Sequence, residues 1–237
     1  MRKTLGNSVV VENAAGGPGG LIGATKVARA NADGHTLLVH HIAMGIFPSL
    51  VRNLPFKVDS DFEYLGMIND VPMTIVGRPT LPANNMAELR TWINANKGKI
   101  TLANAGLGAA SHLCGLLFQQ AVAVDMATIP YKGTAPAMID LLGGHVSMMF
   151  ANPSSIVPNV KAGKLRALAV LGARRNEALP DVPTAIEAGY PDFGDVVEWY
   201  GVVVPAATPR ALVTQLNAVV VRALRSPDVV ERLAAIG

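Results

Sequence analysis

The chain has 237 residues, half of them apolar, which is enough to bury one large core or two smaller ones. Its 20 Lys and Arg against 17 Asp and Glu leave a formal charge of +3, and the basic residues are scattered, so no nucleic-acid stripe is present. No apolar run reaches the ~18 residues that cross a bilayer, "MRKTLGNSVVVEN" lacks the apolar stretch and cleavage site of a signal peptide, and a lone cysteine, Cys114, excludes an internal disulfide.

Strand-like and helix-like runs alternate along the chain, the pattern of an α/β protein with mainly parallel sheets. "SVVVE" reads as a short β-branched strand, "GGPGG" breaks it, and "LIGATKVARANAD" has helical spacing up to Gly34. "HTLLVHH" is the next strand, "MAELRTWINANKG" an amphipathic helix closed by Gly98, and "KITLANAG" a strand running into a glycine loop. After the loop come "SHLCGLLFQQAVA" (helix), "MATIPY" (strand), "TAPAMIDLLGGH" (helix), "VSMMFAN" (strand), "SIVPNVKAG" (helix) and "LRALAVLGA" (strand). A loop-rich stretch precedes the extended "VVEWYGVVVPAATP" and a last helix, "RALVTQLNAVVVRALRS".

Two glycine loops invite a nucleotide reading. Gly17-x-Gly19 with Gly23, and Gly106-x-Gly108, both stand between a strand and a helix, where a phosphate would meet the helix N-terminus. The dinucleotide fingerprint then fails. In the second loop Ala110 and Ser111 occupy the third glycine position, and Asp125 begins the following strand instead of ending it, where a ribose would sit. After the first loop the next strand ends in His40 and His41, with no acid. Neither loop ends in the Gly-Lys-Ser/Thr of a Walker motif.

Catalytic patterns are equally absent. There is no Gly-x-Ser-x-Gly elbow and no His-Glu-x-x-His. His40 and His41 are strand neighbours, expected to point one inward and one outward instead of sharing a metal. His112 and Cys114 stand two apart on a helix and do not face one another, so Cys114 reads as core. An anion site at "NAGLGAASH" remains: glycines admit close approach of a ligand to the main chain, a helix start offers unpaired N–H groups, and Ser111 adds a hydroxyl. The loop alone fits a plain βα turn equally well. An α/β enzyme binding a nucleotide or phosphate ester at such a loop is the alternative.

Seven segments in order, "VVVENAAGGPGGLIGATKVARANADGHTLLV", "LPFKVDSDFEYLGMI", "ITLANAGLGAASHLCGLLF", "IPYKGTAPAMIDLLGGHVSMMF", "VKAGKLRALAV", "ALPDVPTAIEAGYPDF" and "EWYGVVVPAATPRALVTQLNAVV", resemble the Bug (TctC-like) family of solute-binding proteins. These are extracytoplasmic receptors of tripartite tricarboxylate transporters. The resemblance covers essentially the whole chain.

It implies a two-lobed periplasmic-binding-protein-like fold with a hinge of crossing strands, no enzymatic activity and no cofactor or metal. It also implies a small carboxylate enclosed by hinge closure, a periplasmic location and membrane transporter subunits as partners. The lobes are expected at 1–102 with 202–237 and at 103–201, the chain crossing in "KITLANAG" and "DVVEWYGVVVP" and placing Trp199 and Tyr200 near the hinge or cleft floor. The carboxylate loop would comprise Asn104, Gly106, Leu107, Gly108, Ala109 and Ser111, joined by Tyr131, Gly133 and Thr134 from "PYKGTAPA" and by Ile42, Ala43 and Met44 from the first lobe. Tyr131 also fits a packing role, Thr134 a helix cap before Ala135, and Met44 a core filler.

Two departures from the family pattern bear on the ligand. The family's usual opening strand, glycine loop and helix, and its stretch beyond "ERLAAIG", are not in this sequence, so the chain reads as clipped at both ends. Ala151 stands where relatives often carry Asp. An α-ammonium buried there would lack a partner unless Asn152 or water supplied one, so a di- or tricarboxylate or an aromatic acid is expected in preference to an amino acid.

Overall fold

The computed structural model describes residues 6–14, 16–193 and 197–236. They form two compact units, Met1–Asp70 with Trp199–Ala235, and Val71–Glu198 with Ile236–Gly237.

The first unit is built on a three-stranded sheet in the order β1 (Leu38–His41), β8 (Val197–Pro205), β2 (Phe62–Pro72). β1 and β8 are antiparallel, with Leu38 opposite Val203 and His41 opposite Tyr200. Strand alternation divides the apolar residues between two faces. Val203 joins Phe47, Phe56 and Phe62, whose rings meet edge to face, with Ala24 and Val27 of α1 (Leu21–Ala28) and Ala43 and Met44 of α2 (Ala43–Leu50). On the other face Val202 and Val204 meet Val213, Leu216 and Val220, a helical stripe of α7 (Arg210–Leu224). α8 (Pro227–Ile236) follows.

"SVVVE" forms no strand: residues 8–12 are irregular, and Val10 and Val11 are 86% and 82% exposed. β-branched residues favour a strand only where a neighbouring ladder and a covered face receive them, and no strand among the described residues pairs with this segment. The first glycine loop therefore does not leave a strand, which removes the premise of a dinucleotide fingerprint there. It makes a short 3-10 turn, Pro18–Gly20, into α1.

The second unit holds a five-stranded sheet in the order β5 (Ala127–Pro130), β4 (Thr101–Asn104), β6 (Met148–Ala151), β3 (Thr74–Gly77), β7 (Arg166–Val170). β4 is parallel to β5 and β6, whereas β3 is antiparallel to β6 and β7. Four strands thus share a direction and one is reversed, so the sheet is mainly parallel but mixed. Helices α4 (Ala110–Val122), α5 (Thr134–Leu142) and α6 (Pro153–Lys161) make the crossovers, and α3 (Met86–Ala95) precedes them. The carboxyl ends of β4, β5 and β6, at Asn104, Pro130 and Ala151, lie at one edge of the sheet. Such an edge is where ligands bind in open α/β sheets.

The units divide at Asp70/Val71 and Glu198/Trp199 in place of the expected 102/103 and 201/202. The first difference has a clear cause. β3 is inserted between β6 and β7, and it brings residues 71–102, α3 included, into the second unit. The chain leaves the first unit within β2, not in "KITLANAG", and returns within β8. Trp199 packs against the first unit's aromatic core. Residues 195 and 196 of the expected return segment lie outside the described residues.

Candidate ligand-binding site

α4 is fixed to the sheet by a buried stripe, Ser111, Cys114, Phe118 and Val122, and by Gly115, where a Cβ would come within 2.8 Å of Leu102 on β4. The glycine allows close helix-to-strand approach and so sets the helix N-terminus beside the end of β4. Cys114 is fully buried, and burial pushes its thiol up to about 12, the inert core cysteine expected.

Between β4 and α4 the loop is braced by its own side chains. Asn104 Oδ1 accepts from Gly106 N at 2.9 Å, Ser111 Oγ accepts from Ala105 N at 2.9 Å, and Ala109 N donates to Gly106 O at 3.1 Å. Gly106 at φ 125° and Gly108 at φ 75° supply the left-handed backbone the turn requires. At Gly106 a Cβ would also lie 3.2 Å from Tyr131 O.

This bracing leaves a set of donors without acceptors. The amides of Leu107, Ala110 and Ser111 have no hydrogen-bond partner among the described residues, as expected for the first turn of a helix whose N-cap, Ala109, has no capping side chain. Asn104 is 1% exposed, and its Nδ2 has no partner among the described residues. Its amide cannot be flipped, because Oδ1 must face the Gly106 N–H. A buried donor left open costs about 1–3 kcal/mol, so it marks a place where an acceptor belongs. Together with the positive end of the α4 dipole, these groups suit a carboxylate.

The "PYKG" loop is joined to this one by main-chain bonds, Tyr131 N to Asn104 O and Gly133 N to Ala105 O, both 3.0 Å. Tyr131 donates its hydroxyl to Asp140 Oδ2 at 2.6 Å, a bond that raises the phenol to about 12 and ties the ring to α5. Thr134 does not cap α5: it is the first helical residue, and Gly133, at φ 109°, is the N-cap. Asn104, Gly106, Leu107, Gly108, Ala109, Ser111, Tyr131 and Gly133 thus form one continuous patch, with Thr134 opening the helix behind it. Ala151, 2% exposed, ends the neighbouring strand β6, and Asn152 follows it as the N-cap residue of α6.

Ile42, Ala43 and Met44 belong to the first unit. Ala43 and Met44 are 0% and 1% exposed in its aromatic core, so their side chains serve packing, while Ile42 is half-buried at the start of α2. The adjacent histidines do not split inward and outward. His41 ends the strand, and its ring stacks on that of His40 at 4.7 Å and 13°. Burial, then the charge of His41, lowers His40 to about 4, and burial lowers His41.

Two residues went unforeseen. Thr74, 0% exposed, stands opposite Ala151 in the ladder with an unpartnered Oγ1. His112 Nδ1 accepts from Gly108 N at 3.3 Å. The spacing of four between Gly108 and His112 was the available sign, since the first turn of a helix brings such positions together.

Comparison with known proteins agrees with this architecture. The solved periplasmic binding protein BugD is 44% identical, with a TM-score of 0.91 over 99% of this chain and 78% of its own. MatC from Rhodopseudomonas palustris, solved with malate, is 36% identical, with a TM-score of 0.92 over 100% of this chain and 80% of its own. A further R. palustris protein, solved with adipate, is 32% identical, with a TM-score of 0.93 over 100% of this chain and 79% of its own. A model of the tripartite tricarboxylate transporter family receptor matches residues 1–237, and to that family of solute-binding receptors the chain belongs.

Proposed function

We infer that the chain binds a small organic acid through a carboxylate at the 104–111 loop of its second unit, and that it does so in the periplasm as the receptor of a tripartite uptake system. The observation that carries this reading is the orphan Asn104 Nδ2, buried beside the open amides of Leu107, Ala110 and Ser111. A plain turn has no need of such a donor. MatC with malate and the R. palustris protein with adipate support the ligand class.

The ligand lacks an α-amino group. At the end of β6, Ala151 offers neither charge nor acceptor, and its ladder partner Thr74 offers only a hydroxyl. An ammonium buried there would meet the Thr74 hydroxyl and the buried Asn152 side-chain amide but no carboxylate from these residues, so its charge would go uncompensated at a cost of several kcal/mol. Malate and adipate, the acids of the two neighbours, both lack that group.

Thermal shift and calorimetry with malate, adipate, an aromatic acid, aspartate, glutamate, NAD and ATP test both parts. Binding to the folded state alone raises the midpoint, and stabilisation is expected with the first three. Stabilisation by NAD or ATP alone would favour the phosphate-binding alternative. Tighter binding of aspartate or glutamate would leave the carboxylate reading standing and remove the role given to Ala151.

A further inference from the structure

One amide of the loop is neither open nor firmly engaged. Gly108 N lies between the free amides of Leu107 and Ala110, and it donates to His112 Nδ1 at 3.3 Å, a long bond compared with the 2.9 Å bonds that brace the rest of the loop. The contact requires neutral imidazole with its proton on Nε2. Once Nδ1 is protonated it becomes a donor and can no longer accept from Gly108. Protonation therefore does two things: it frees a fourth backbone N–H in the patch, and it places a cation in the first turn of α4. No Lys or Arg occurs in residues 104–112, so within this loop a carboxylate would otherwise face only dipoles.

We propose that His112 is a positioning residue that withholds the Gly108 amide until it is protonated, so that this receptor takes up a proton together with its carboxylate ligand. The inference rests on the carboxylate reading of the 104–111 loop.

The surroundings leave the imidazole free to respond. α4 packs against β4, β6 and the turn at 191–193. The two strands carry no titratable side chain, the turn carries Asp192, and α4 itself carries only Cys114, which stays a neutral thiol and feels the charge of Glu198. In the adjoining loop Tyr131 is bound to Asp140, and Lys132 is exposed. Without ligand, burial holds His112 below its ordinary 6.5. A carboxylate beside it acts in the opposite direction and raises it. Binding and protonation are therefore coupled, each favouring the other to the same extent.

The test has a ligand-free arm and a ligand arm. In nitrogen-15 NMR of the free protein, His112 is expected as the Nε2–H tautomer, and the Gly108 amide should titrate with the same midpoint as the imidazole. A Gly108 amide that ignores the His112 titration would overturn the proposal. In calorimetry with malate, affinity should rise as pH falls toward that midpoint and level off beneath it, by no more than about tenfold per pH unit, the limit for one linked proton. The heat should vary with the buffer's protonation enthalpy. H112Q keeps an acceptor for Gly108 without a titration, so it should retain malate binding with a flatter pH profile and no buffer dependence. Its profile also carries malate's own ionisation, which leaves the difference from wild type as the contribution of His112. Malate binding with the same pH profile in both proteins would overturn this inference and leave the carboxylate site intact. Failure of every carboxylate in the panel to bind would overturn both.

Discussion

Acidification should destabilise the protein through His40. Its imidazole is 6% exposed, and its Nε2 faces the Gly20 main chain, so close that a Cβ there would lie 3.2 Å from that nitrogen, leaving little space for water or a counter-ion. Burial is the larger cause of its lowered value and the neighbouring His41 the second. A base that titrates at about 4 when folded and at 6.5 when unfolded binds more protons in the unfolded chain between those values. Stability from this group is therefore complete above 6.5 and declines as pH falls toward 4. At 1.36 kcal/mol per pH unit the full loss is about 3 kcal/mol, a large part of the roughly 5–15 kcal/mol that holds a typical domain folded. Glu88 and Glu187, whose carboxyls hydrogen bonds hold below 4.5, lose their contribution as pH falls through and below 4.5, at the foot of that window. Urea unfolding at a series of pH values, on wild type and His40→Leu, measures the term. The variant's absolute stability will differ, but its slope between pH 7 and 4.5 should flatten by most of the predicted amount. An unchanged slope in His40→Leu, or an NMR titration of His40 near 6.5, would refute the reasoning.

Three further expectations concern Asn104, Gly20 and Cys114. Asn104→Asp keeps the acceptor for Gly106 N and replaces the orphan donor with a carboxylate oxygen, so malate affinity by calorimetry should fall by more than tenfold, the equivalent of one lost hydrogen bond to a charged group at about 1.5–3 kcal/mol. Gly108→Val is the poorer probe, because φ 75° strains a β-branched residue whether or not a ligand binds. Gly20→Ala, at φ 81° and against His40, should lower the unfolding free energy by about 1–2 kcal/mol in chemical denaturation. Cys114 should react with a thiol reagent at pH 8 only after unfolding, since the native thiol is fully buried and titrates at about 12.

The regular βα units of the second unit were legible because each element carries its own period and its own breaker. "KITLANAG" yields β4, and "SHLCGLLFQQAVA" yields α4 up to Ala123, which turns left-handed at φ 54°. The elements that went unseen lack that internal signal. α2 contains Gly45 and Pro48, and β2 interrupts its apolar positions with Glu63, Gly66, Asn69 and Asp70. β3 is four residues long and takes its place from β6 and β7, strands about 70 to 95 residues away, so no local pattern announces it. "SVVVE" errs in the other direction, since its strand propensity is real but no ladder receives it. The same division applies at the site. Glycines and Ser111 stand out in the sequence, whereas the orphan Asn104 amide depends on which of its two ends the Gly106 N–H engages.

That dependence also bears on how the loop selects a ligand. Three of its polar side chains, Asn104, Ser111 and His112, are used first to fix the main chain, by accepting from the amides of Gly106, Ala105 and Gly108. The donors left over are consequently held in place before any ligand arrives, which lowers the ordering cost of binding. Apart from the Asn104 amide and the Ser111 hydroxyl they are backbone groups, so on the proposed reading substitution at Leu107 or Ala109 should leave malate affinity largely intact in calorimetry. On that reading, discrimination among acids falls to residues beyond the cradle. Ala151 and Thr74, at the neighbouring strand ends, are where a change of side chain would alter the choice of acid without disturbing the grip on its carboxylate.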